Sequence, residues 1–534
     1  MISILALAPF SLLAVASGDE PRIDVVKHTL ANGLRLLVVE RHDSPTVSTQ
    51  LRFHVGGVDD PKGQTGIAHL LEHMMFKGTE TVGILDREKE KPLLARLDAL
   101  WRDLDEETAK HASPFEKVDG AKVARLESEI EALTAEHRDL VVKDELWQAY
   151  QRVGGRGLNA STGDDSTQYY VDLPKNQLEM WAFFESDRLA NPVFREFYSE
   201  RDVVHEERRL RTDTQPQGRF QEAFAALVHA AHPYRNPVVG WPSDIDSTDR
   251  EEVLEYFRTF YAPNNCVIAL VGDVKAKDAI ALVEKYFGAL PSKPLPRRRI
   301  TEEIPLEGER RLRMRLDSTP RVTIAWPTVA AGHPDEPALD VAARVLSGTG
   351  GFGGRGFGRR GGGGGGGTGR LFKGLVAPAG GEGVAIMAFA SHRSGRYPGT
   401  FNASATPIPG NDLQSVEDAL QSEIERLAKD PPTDEELEAV RNSLDAGWLR
   451  SLDSNSGIAR GILEAETLAG DWRWWLERRE QTKAVTAADV TRVIDAYLRR
   501  DARCVGWLEG TGRGRGRGAF PTEAGSTGND GGGR

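Results

Sequence analysis

Residues 64–79 read QTGIAHLLEHMMFKGT, a strongly apolar stretch that carries two histidines and one glutamate. The pattern predicts a buried helix. His69 and His73 are four residues apart and share a helical face, where their imidazoles can bind one cation. Glu72 completes the order H-x-x-E-H and can face a bound water without being a ligand. Because polar groups on a buried helix need a partner, the stretch indicates a metal site more strongly than two unrelated histidines.

A catalytic zinc site usually has three protein ligands, so a third ligand must come from elsewhere in the chain. The candidates lie in ERDVVHEERR, residues 200–209. Glu200 and Glu207 are seven residues apart, which places them on one face of a helix. His205 and Glu206 compete with them, and spacing alone does not choose among the four.

The composition of the 534-residue chain limits the classes of protein to consider. Hydrophobic residues make up 39% and charged residues 28%, which excludes a wholly disordered chain and allows several domains. A formal net charge of −12 argues against a dedicated nucleic-acid binder. With two cysteines, the chain has neither a disulfide scaffold nor a cysteine-based zinc cluster. Any metal must be held by His, Asp or Glu, and zinc is favoured by ligand type and availability.

Predicted strands and helices follow one another in an order typical of an α+β protein. Residues 24–57 predict strands. Residues 85–150 place leucines at helical spacing on both sides of Ser113-Pro114, which predicts a helical hairpin inserted into the fold. We favour a plain antiparallel elaboration for this hairpin over an arm that binds a partner or substrate. Further strands are predicted within residues 158–174 and 261–274.

The chain divides at a proline-rich, charged segment, for which we predict a linker at residues 293–305. Residues 319–349 repeat the order of residues 44–79, which is a strand, a turn rich in Gly, Asp and Pro, and a helix ending near Gly-Thr. This weak repeat predicts two homologous domains, 19–292 and 306–509, each an antiparallel-rich sheet with flanking helices. The second copy lacks the histidines and the glutamate, so we expect it not to bind metal.

The two ends of the chain and one internal segment have unusual compositions. Residues 1–18 are mostly apolar and end in small residues, which predicts a signal peptide and a periplasmic or secreted protein. No Lys or Arg precedes the apolar run, so a retained anchor and an untidy cytosolic N-terminus stay as alternatives. No other run is long enough to span a membrane. Residues 348–370 predict a Gly-rich flexible loop, and residues 510–534 predict a disordered Gly/Arg tail.

From about residue 24 to 509 the chain resembles the pitrilysin-type zinc peptidases, also called inverzincins. It is most similar to the two-domain bacterial members and to the subunits of the mitochondrial processing peptidase. The H-x-x-E-H stretch is the most specific motif of this resemblance. The motifs that carry it are HLLEHMMFKGT at 69–79, ERDVVHEE at 200–207, LNAST at 158–162, HPYRNPVVGWPSDI at 232–245 and YAPNNCVIALVGDV at 261–274.

The resemblance implies roles for particular residues. The family pattern places its glutamate ligand on the second of two glutamates seven apart, which makes Glu207 the third ligand and Glu200 a supporting acidic residue of the catalytic site. It also implies that Asn159, Ala160 and Thr162 line the substrate path. The implied fold is a pair of α+β domains enclosing a chamber, where a peptide binds by adding a strand to a sheet edge.

Two departures from the family pattern affect the prediction. The separation of His73 and Glu207 is longer than usual, and the helical hairpin accounts for the excess. Active members commonly use an Arg and a Tyr from the C-terminal half or a partner subunit to hold the substrate carbonyl. Residues 370–387 have neither at the expected places, and Arg396 and Tyr397 are out of register. We therefore expect a homo- or heterodimer in which a homologous subunit supplies the pair.

The function expected from these patterns is that of a zinc endopeptidase with one Zn²⁺ per chain. His69, His73 and Glu207 would hold the ion, and Glu72 would act as general base towards peptides or unfolded segments. The alternative is a non-catalytic or partner-dependent subunit of a two-subunit peptidase or scaffold complex. The intact H-x-x-E-H motif favours the enzyme, and the missing Arg/Tyr pair keeps the alternative open.

Overall fold

The computed structural model describes residues 22–348, 367–379 and 381–511. The signal peptide predicted at 1–18 lies outside these residues, as do most of the Gly-rich loop and nearly all of the tail. Within the described part, no helix combines the length and the apolar character that crossing a bilayer requires.

A six-stranded sheet forms the first half of the molecule. Its strand order is β1-β2-β6-β3-β5-β4, in which β2 and β6 are parallel and all other neighbours are antiparallel. The central strand β6 is buried along its whole length, whereas β4 lies at an edge. The strands are β1 (Val26–Thr29), β2 (Arg35–Glu40), β3 (Thr46–Phe53), β4 (Arg156–Thr162), β5 (Thr167–Pro174) and β6 (Cys266–Gly272).

Ten α-helices accompany this first sheet in the described residues, and α1 and α9 pack together against its core. They are α1 (Ile67–Met74), α2 (Arg87–Ala109), α3 (Gly120–Arg138), α4 (Glu145–Arg152), α5 (Leu178–Ala190), α6 (Phe197–Arg208), α7 (Pro216–Val228), α8 (Pro242–Ser247), α9 (Arg250–Phe260) and α10 (Ala276–Phe287).

A five-stranded sheet in the second half repeats the topology of the first. Its order is β7-β11-β8-β10-β9, again with one parallel pair, β7 and β11. The strands are β7 (Arg310–Leu316), β8 (Arg321–Pro327), β9 (Ala385–Arg393), β10 (Thr400–Pro407) and β11 (Cys504–Gly510). The helices are α11 (Glu336–Ser347), α12 (Leu413–Lys429), α13 (Asp434–Leu452), α14 (Asn455–Leu468), α15 (Trp474–Ala484) and α16 (Ala487–Tyr497). The predicted α+β class with two homologous units is confirmed.

Each half of the molecule packs one helix onto the sheet of the other half. From the second half, α14 packs Ile458, Ile462 and Leu463 onto the buried face of β2 and β6. From the first half, α7 packs Phe220 and Phe224 onto the second sheet. Because both contacts bury large apolar side chains, they stabilise one fixed arrangement of the two sheets.

The predicted helical hairpin is present as α2 and α3, which pack against each other through Leu104, Leu126 and Ile130. An aspartate begins each helix by accepting backbone N–H bonds, Asp86 for α2 and Asp119 for α3. The hairpin leaves the body after the end of α1 and returns just before α4. Its base therefore lies beside the H-x-x-E-H helix.

Candidate metal centre

The helix α1 begins at a position that requires glycine. Gly66 has φ +91°, and a Cβ there would lie 2.6 Å from the carbonyl oxygen of Val239. The Asp60 carboxylate accepts the backbone N–H groups of Gly66 and Ala68, at 2.8 and 3.3 Å, and so caps the helix. The helix then buries an apolar face formed by Ile67, Leu70, Leu71 and Met74.

Two histidines of α1 and one glutamate of α6 converge across the packed helices. His69 Nε2 lies 3.8 Å from Glu207 Oε1, and His73 Nε2 lies 3.5 Å from Glu207 Oε2. One ligand atom from each residue falls within 4.8 Å of the others. Ligand atoms of a tetrahedral zinc site, each about 2.0–2.1 Å from the ion, lie roughly 3.4 Å apart. The spacing and chemistry of these three donors therefore fit a zinc ion.

Glu200 contacts His73 from the side opposite Glu207. Its carboxylate lies 3.4 Å from His73 Nδ1 and 2.5 Å from Lys77 Nζ, and Lys77 also reaches Glu196 at 3.3 Å. An acceptor on Nδ1 keeps the proton there and leaves Nε2 free to bind a metal. Glu200 thus orients His73, and Lys77, which the sequence did not single out, holds Glu200 in place.

The pKa values of the cluster depend on burial and on the hydrogen bonds between its members. Burial lowers the pKa of His69. Burial also opposes protonation of His73, but hydrogen bonds to Glu200 and Glu207 raise its pKa to about 9. The hydrogen bond from His73 holds the pKa of Glu207 well below its usual range. The anionic Glu207 favours a divalent cation, and binding of the cation would displace the proton from His73 Nε2, because a histidine ligand must be neutral.

Glu72 lies on the same helix, beside the convergent donors. Thr162 Oγ1 donates to its carboxylate at 2.5 Å. Burial raises the pKa of Glu72, against the opposing effect of this hydrogen bond. A glutamate whose pKa is raised by burial and whose carboxylate is held in one orientation is suited to accept and return a proton.

The residues predicted to line the substrate path lie on β4, the edge strand of the first sheet. Asn159 lines a cavity together with Glu72 and His73. The side chain of Ala160 is buried, and its backbone N–H bonds to the Asn159 side chain. Thr162 holds Glu72. No strand pairs with the outer edge of β4 within the described residues, so a peptide can add to it there.

The other candidates for the third ligand point elsewhere. His205 pairs with Asp246 at 2.8 Å, and Glu206 is exposed and pairs with Arg209. Arg211 forms an ion pair with Glu207, but its side chain is 76% exposed, so losing this contact costs little.

The two out-of-register candidates for a substrate clamp serve the contact between the halves of the molecule. Arg396 pairs with Asp59, and the backbone N–H of Tyr397 bonds to the Tyr234 hydroxyl. Within the described residues, their contacts are with Asp59, Asp165, His232 and Tyr234 and not with the donors.

A buried network, which the sequence did not indicate, joins the metal centre to the helical hairpin. The Arg195 guanidinium binds Glu90 of α2 and the backbone carbonyls of Lys77, Thr79 and Val82. Glu90 also bonds to His137 of α3. The side chains of Glu90 and Arg195 are fully buried. Such a network shows no pattern along the sequence because its members come from four separate segments.

Two family models match the chain. The model described as insulinase (peptidase family M16) matches residues 35–89, and the model described as the peptidase M16 inactive domain matches residues 247–444. A zinc protease PqqE of Helicobacter pylori is 23% identical over 93% of this chain and 96% of the relative. A probable mitochondrial-processing peptidase subunit beta of Arabidopsis thaliana is 25% identical over 92% and 79%.

The chain is similar to peptidase family M16 over most of its length. The resemblance drawn from the H-x-x-E-H stretch is therefore confirmed. Solved structures agree in fold. A protease from H. pylori superposes with a TM-score of 0.72 at 22% identity, covering 91% of this chain and all of that one. The periplasmic protease PqqL from Escherichia coli gives 0.65 at 14% identity, over 95% and 52%.

The insulinase model covers α1, whereas the inactive-domain model covers mainly the second half, where the positions of the motif carry no histidine pair. The word inactive therefore applies to a region without the H-x-x-E-H residues. The cluster of donors lies outside it.

We expect Glu207→Gln to lower zinc affinity at least about a hundredfold, because it replaces the anionic candidate ligand between the two imidazoles. Glu206→Gln is the matched control, since the neighbouring carboxylate is exposed and bonds only to Arg209 in the described structure. Competition with a chromogenic chelator measures both affinities. If only the Glu206 variant loses zinc, Glu206 rather than Glu207 is the third ligand.

Proposed function

We propose that this protein is a zinc-dependent endopeptidase that hydrolyses peptides or unfolded segments of polypeptide. The observation that carries the proposal is the convergence of His69, His73 and Glu207 beside a glutamate, Glu72, that is held by Thr162. The names of the relatives support it, since several are zinc proteases. The same donors on a purely structural protein would need no oriented carboxylate next to them.

In the proposed mechanism, a zinc ion held by the three donors would supply a polarised water and a Lewis acid for the substrate carbonyl. Glu72 would accept a proton from the water molecule that attacks the carbonyl carbon of the peptide bond. Glu72 then gives the proton to the leaving amine. Thr162 keeps the Glu72 carboxylate in place through both transfers, and Glu200 keeps His73 in the tautomer that offers Nε2.

The substrate would bind as an additional strand along β4. Backbone hydrogen bonds to an edge strand hold an extended peptide with little dependence on its sequence. Asn159 would lie next to the scissile bond, since it lines the cavity that also contains Glu72. This mode of binding favours unfolded segments because a folded protein does not offer an extended strand.

A complete site would need a donor pair for the substrate oxyanion. Within the described part of residues 370–387, the single arginine is Arg370, which is buried against Glu436 and the carbonyls of Asp430 and Pro431. It cannot reach the metal centre. A second subunit, either another copy or a homologue, would therefore supply the Arg/Tyr pair.

We place the enzyme in the periplasm or outside the cell, on the signal-like residues 1–18 and on the relation to a periplasmic protease of E. coli. The second candidate is a subunit that binds substrate or scaffolds a complex without cleaving. The observation that favours it is the lack of the Arg/Tyr pair at the expected places.

The test is hydrolysis of a mixed library of quenched peptides by the zinc-loaded chain. We expect cleavage that a chelator abolishes and that added zinc restores. If folded, zinc-loaded protein cleaves nothing alone but does so once a homologous chain is added, the enzyme is partner-dependent. If it stays inactive in both cases, the scaffold role replaces the proposal.

A further inference from the structure

A cavity of about 350 Å³ opens beside Glu72 and His73. One side of it is formed by Phe76 and Lys77 at the end of α1. Another part of the lining is formed by residues 141–147, seven consecutive residues through which the helical hairpin returns to the body of the protein. We call these residues the return segment. The hairpin thus supplies one wall of the candidate active site.

The return segment is fixed in position by hydrogen bonds to the segment that enters the hairpin. The Leu85 N–H donates to the Leu140 carbonyl and the Val142 N–H to the Gly83 carbonyl, at 2.9 and 3.1 Å. The Glu145 carboxylate accepts the Gly83 N–H at 2.5 Å. Because both ends of this turn are bonded, the cavity is formed before any ligand binds.

The lining of the cavity is acidic. Besides Glu72 it contains four carboxylates, against two lysines. The carboxylates are those of Asp144, Glu145, Glu196 and Glu200, and the lysines are Lys77 and Lys143. Lys77 is occupied by Glu196 and Glu200. Asp144 is exposed and its side chain has no hydrogen bond or ion pair within the described residues.

An exposed aromatic ring stands next to this charge. Trp147 is 37% exposed, and its ring meets that of Phe76 edge-on, with centroids 5.9 Å apart. Trp147 and Asp144 lie three residues apart across the start of α4 and both line the cavity. A free carboxylate beside an exposed indole is the combination that binds a long cationic side chain.

We propose that the cavity bounded by the return segment binds an arginine or lysine side chain of the substrate, at one fixed position next to the scissile bond. Asp144 pairs with the cationic group, and Trp147 packs on it. The inference rests on the proposed peptidase function, because it names the residue preference of that same site. It assigns the hairpin a role in specificity through its return segment.

The test uses peptides that differ in a single side chain. Arginine is scanned through the positions on either side of one scissile bond, and each peptide is paired with a counterpart that contains citrulline, which is uncharged and of nearly the same shape. At one position we expect kcat/KM to be about tenfold higher for arginine, and the preference to weaken with salt.

Two variants locate the preference in the cavity. Asp144 has φ +56°, and asparagine tolerates that conformation, so Asp144→Asn removes the charge without straining the backbone. We expect it to reduce the tenfold preference to about twofold, and Trp147→Leu to reduce it partially. Asp103→Asn is the matched control, since Asp103 is exposed on α2 and does not line the cavity.

Binding to zinc-loaded Glu72→Gln separates this inference from the proposed function. Fluorescence anisotropy of the labelled arginine and citrulline peptides measures their affinities without turnover. If the arginine peptide binds more tightly and Asp144→Asn removes the difference, the cavity binds the arginine side chain, even when the wild type cleaves nothing. If the wild type cleaves both peptides equally and Asp144→Asn changes nothing, the inference is overturned while the peptidase stands. A preference for large apolar side chains, unaffected by Asp144→Asn, also overturns it.

Discussion

Glu72→Gln is expected to lower kcat for peptide hydrolysis about a thousandfold while zinc affinity stays nearly unchanged. Glutamine keeps the size of the side chain and can still bond to the Thr162 hydroxyl, which lies 2.5 Å from the carboxylate. It cannot take up a proton. Loss of a general base costs about 10²–10⁴-fold in rate, and a thousandfold corresponds to about 4 kcal/mol in the barrier.

Three measurements are needed to interpret that result. Kinetics on the best substrate of the peptide library give kcat, a chelator competition gives the zinc affinity, and circular dichroism shows that the variant is folded. If zinc and activity are lost together, Glu72 is a ligand rather than the base. If activity persists at more than about a tenth of the wild type, another group accepts the proton.

The sequence predicted the parts of the site that lie close together in the chain. His69, Glu72 and His73 are one motif on one helix, so helical periodicity was enough to place them on a common face. The choice of Glu207 as the third ligand depended on the family resemblance, because spacing within residues 200–209 left four candidates. The packing of α6 on α1 brings Glu207 to the histidines and leaves Glu206 on the surface.

The sequence predicted the strands but not their order in the sheet. Alternating and apolar runs predicted the strands, and the repeat predicted two similar units. The insertion of β6 between β2 and β3 depends on contacts between strands more than two hundred residues apart, which no local pattern contains.

Polar contacts between distant segments could not be predicted at all. Lys77 is visible only as a basic residue after an apolar helix, yet it bonds to two glutamates of the 196–200 segment. The hairpin was expected to be a plain elaboration. Its buried base contacts the segment that follows α1, and its return segment lines the cavity beside Glu72.

Glu90→Ala is expected to lower the free energy of unfolding by about 3–5 kcal/mol, because Glu90 forms a buried ion pair where the hairpin joins the body of the protein. The Glu90 and Arg195 side chains are both fully buried, with 2.5 Å between carboxylate and guanidinium. Removal of Glu90 leaves the guanidinium with backbone carbonyls and without an ion pair among the described residues. The cost of an unpaired buried charge exceeds the net worth of the original pair.

Glu88→Ala is the matched control because it removes the same charge two residues earlier in α2. The Glu88 side chain is 82% exposed and pairs with Lys91, so we expect less than about 1 kcal/mol. A chain with two sheets can unfold in more than one step, so local stability is best measured by hydrogen exchange of residues 77–83 and of the hairpin. Faster exchange confined to these segments, together with weaker zinc binding through Lys77 and Glu200, would show that the hairpin supports the metal centre. Equal effects of both variants would mean that the hairpin is tied to the body by packing alone.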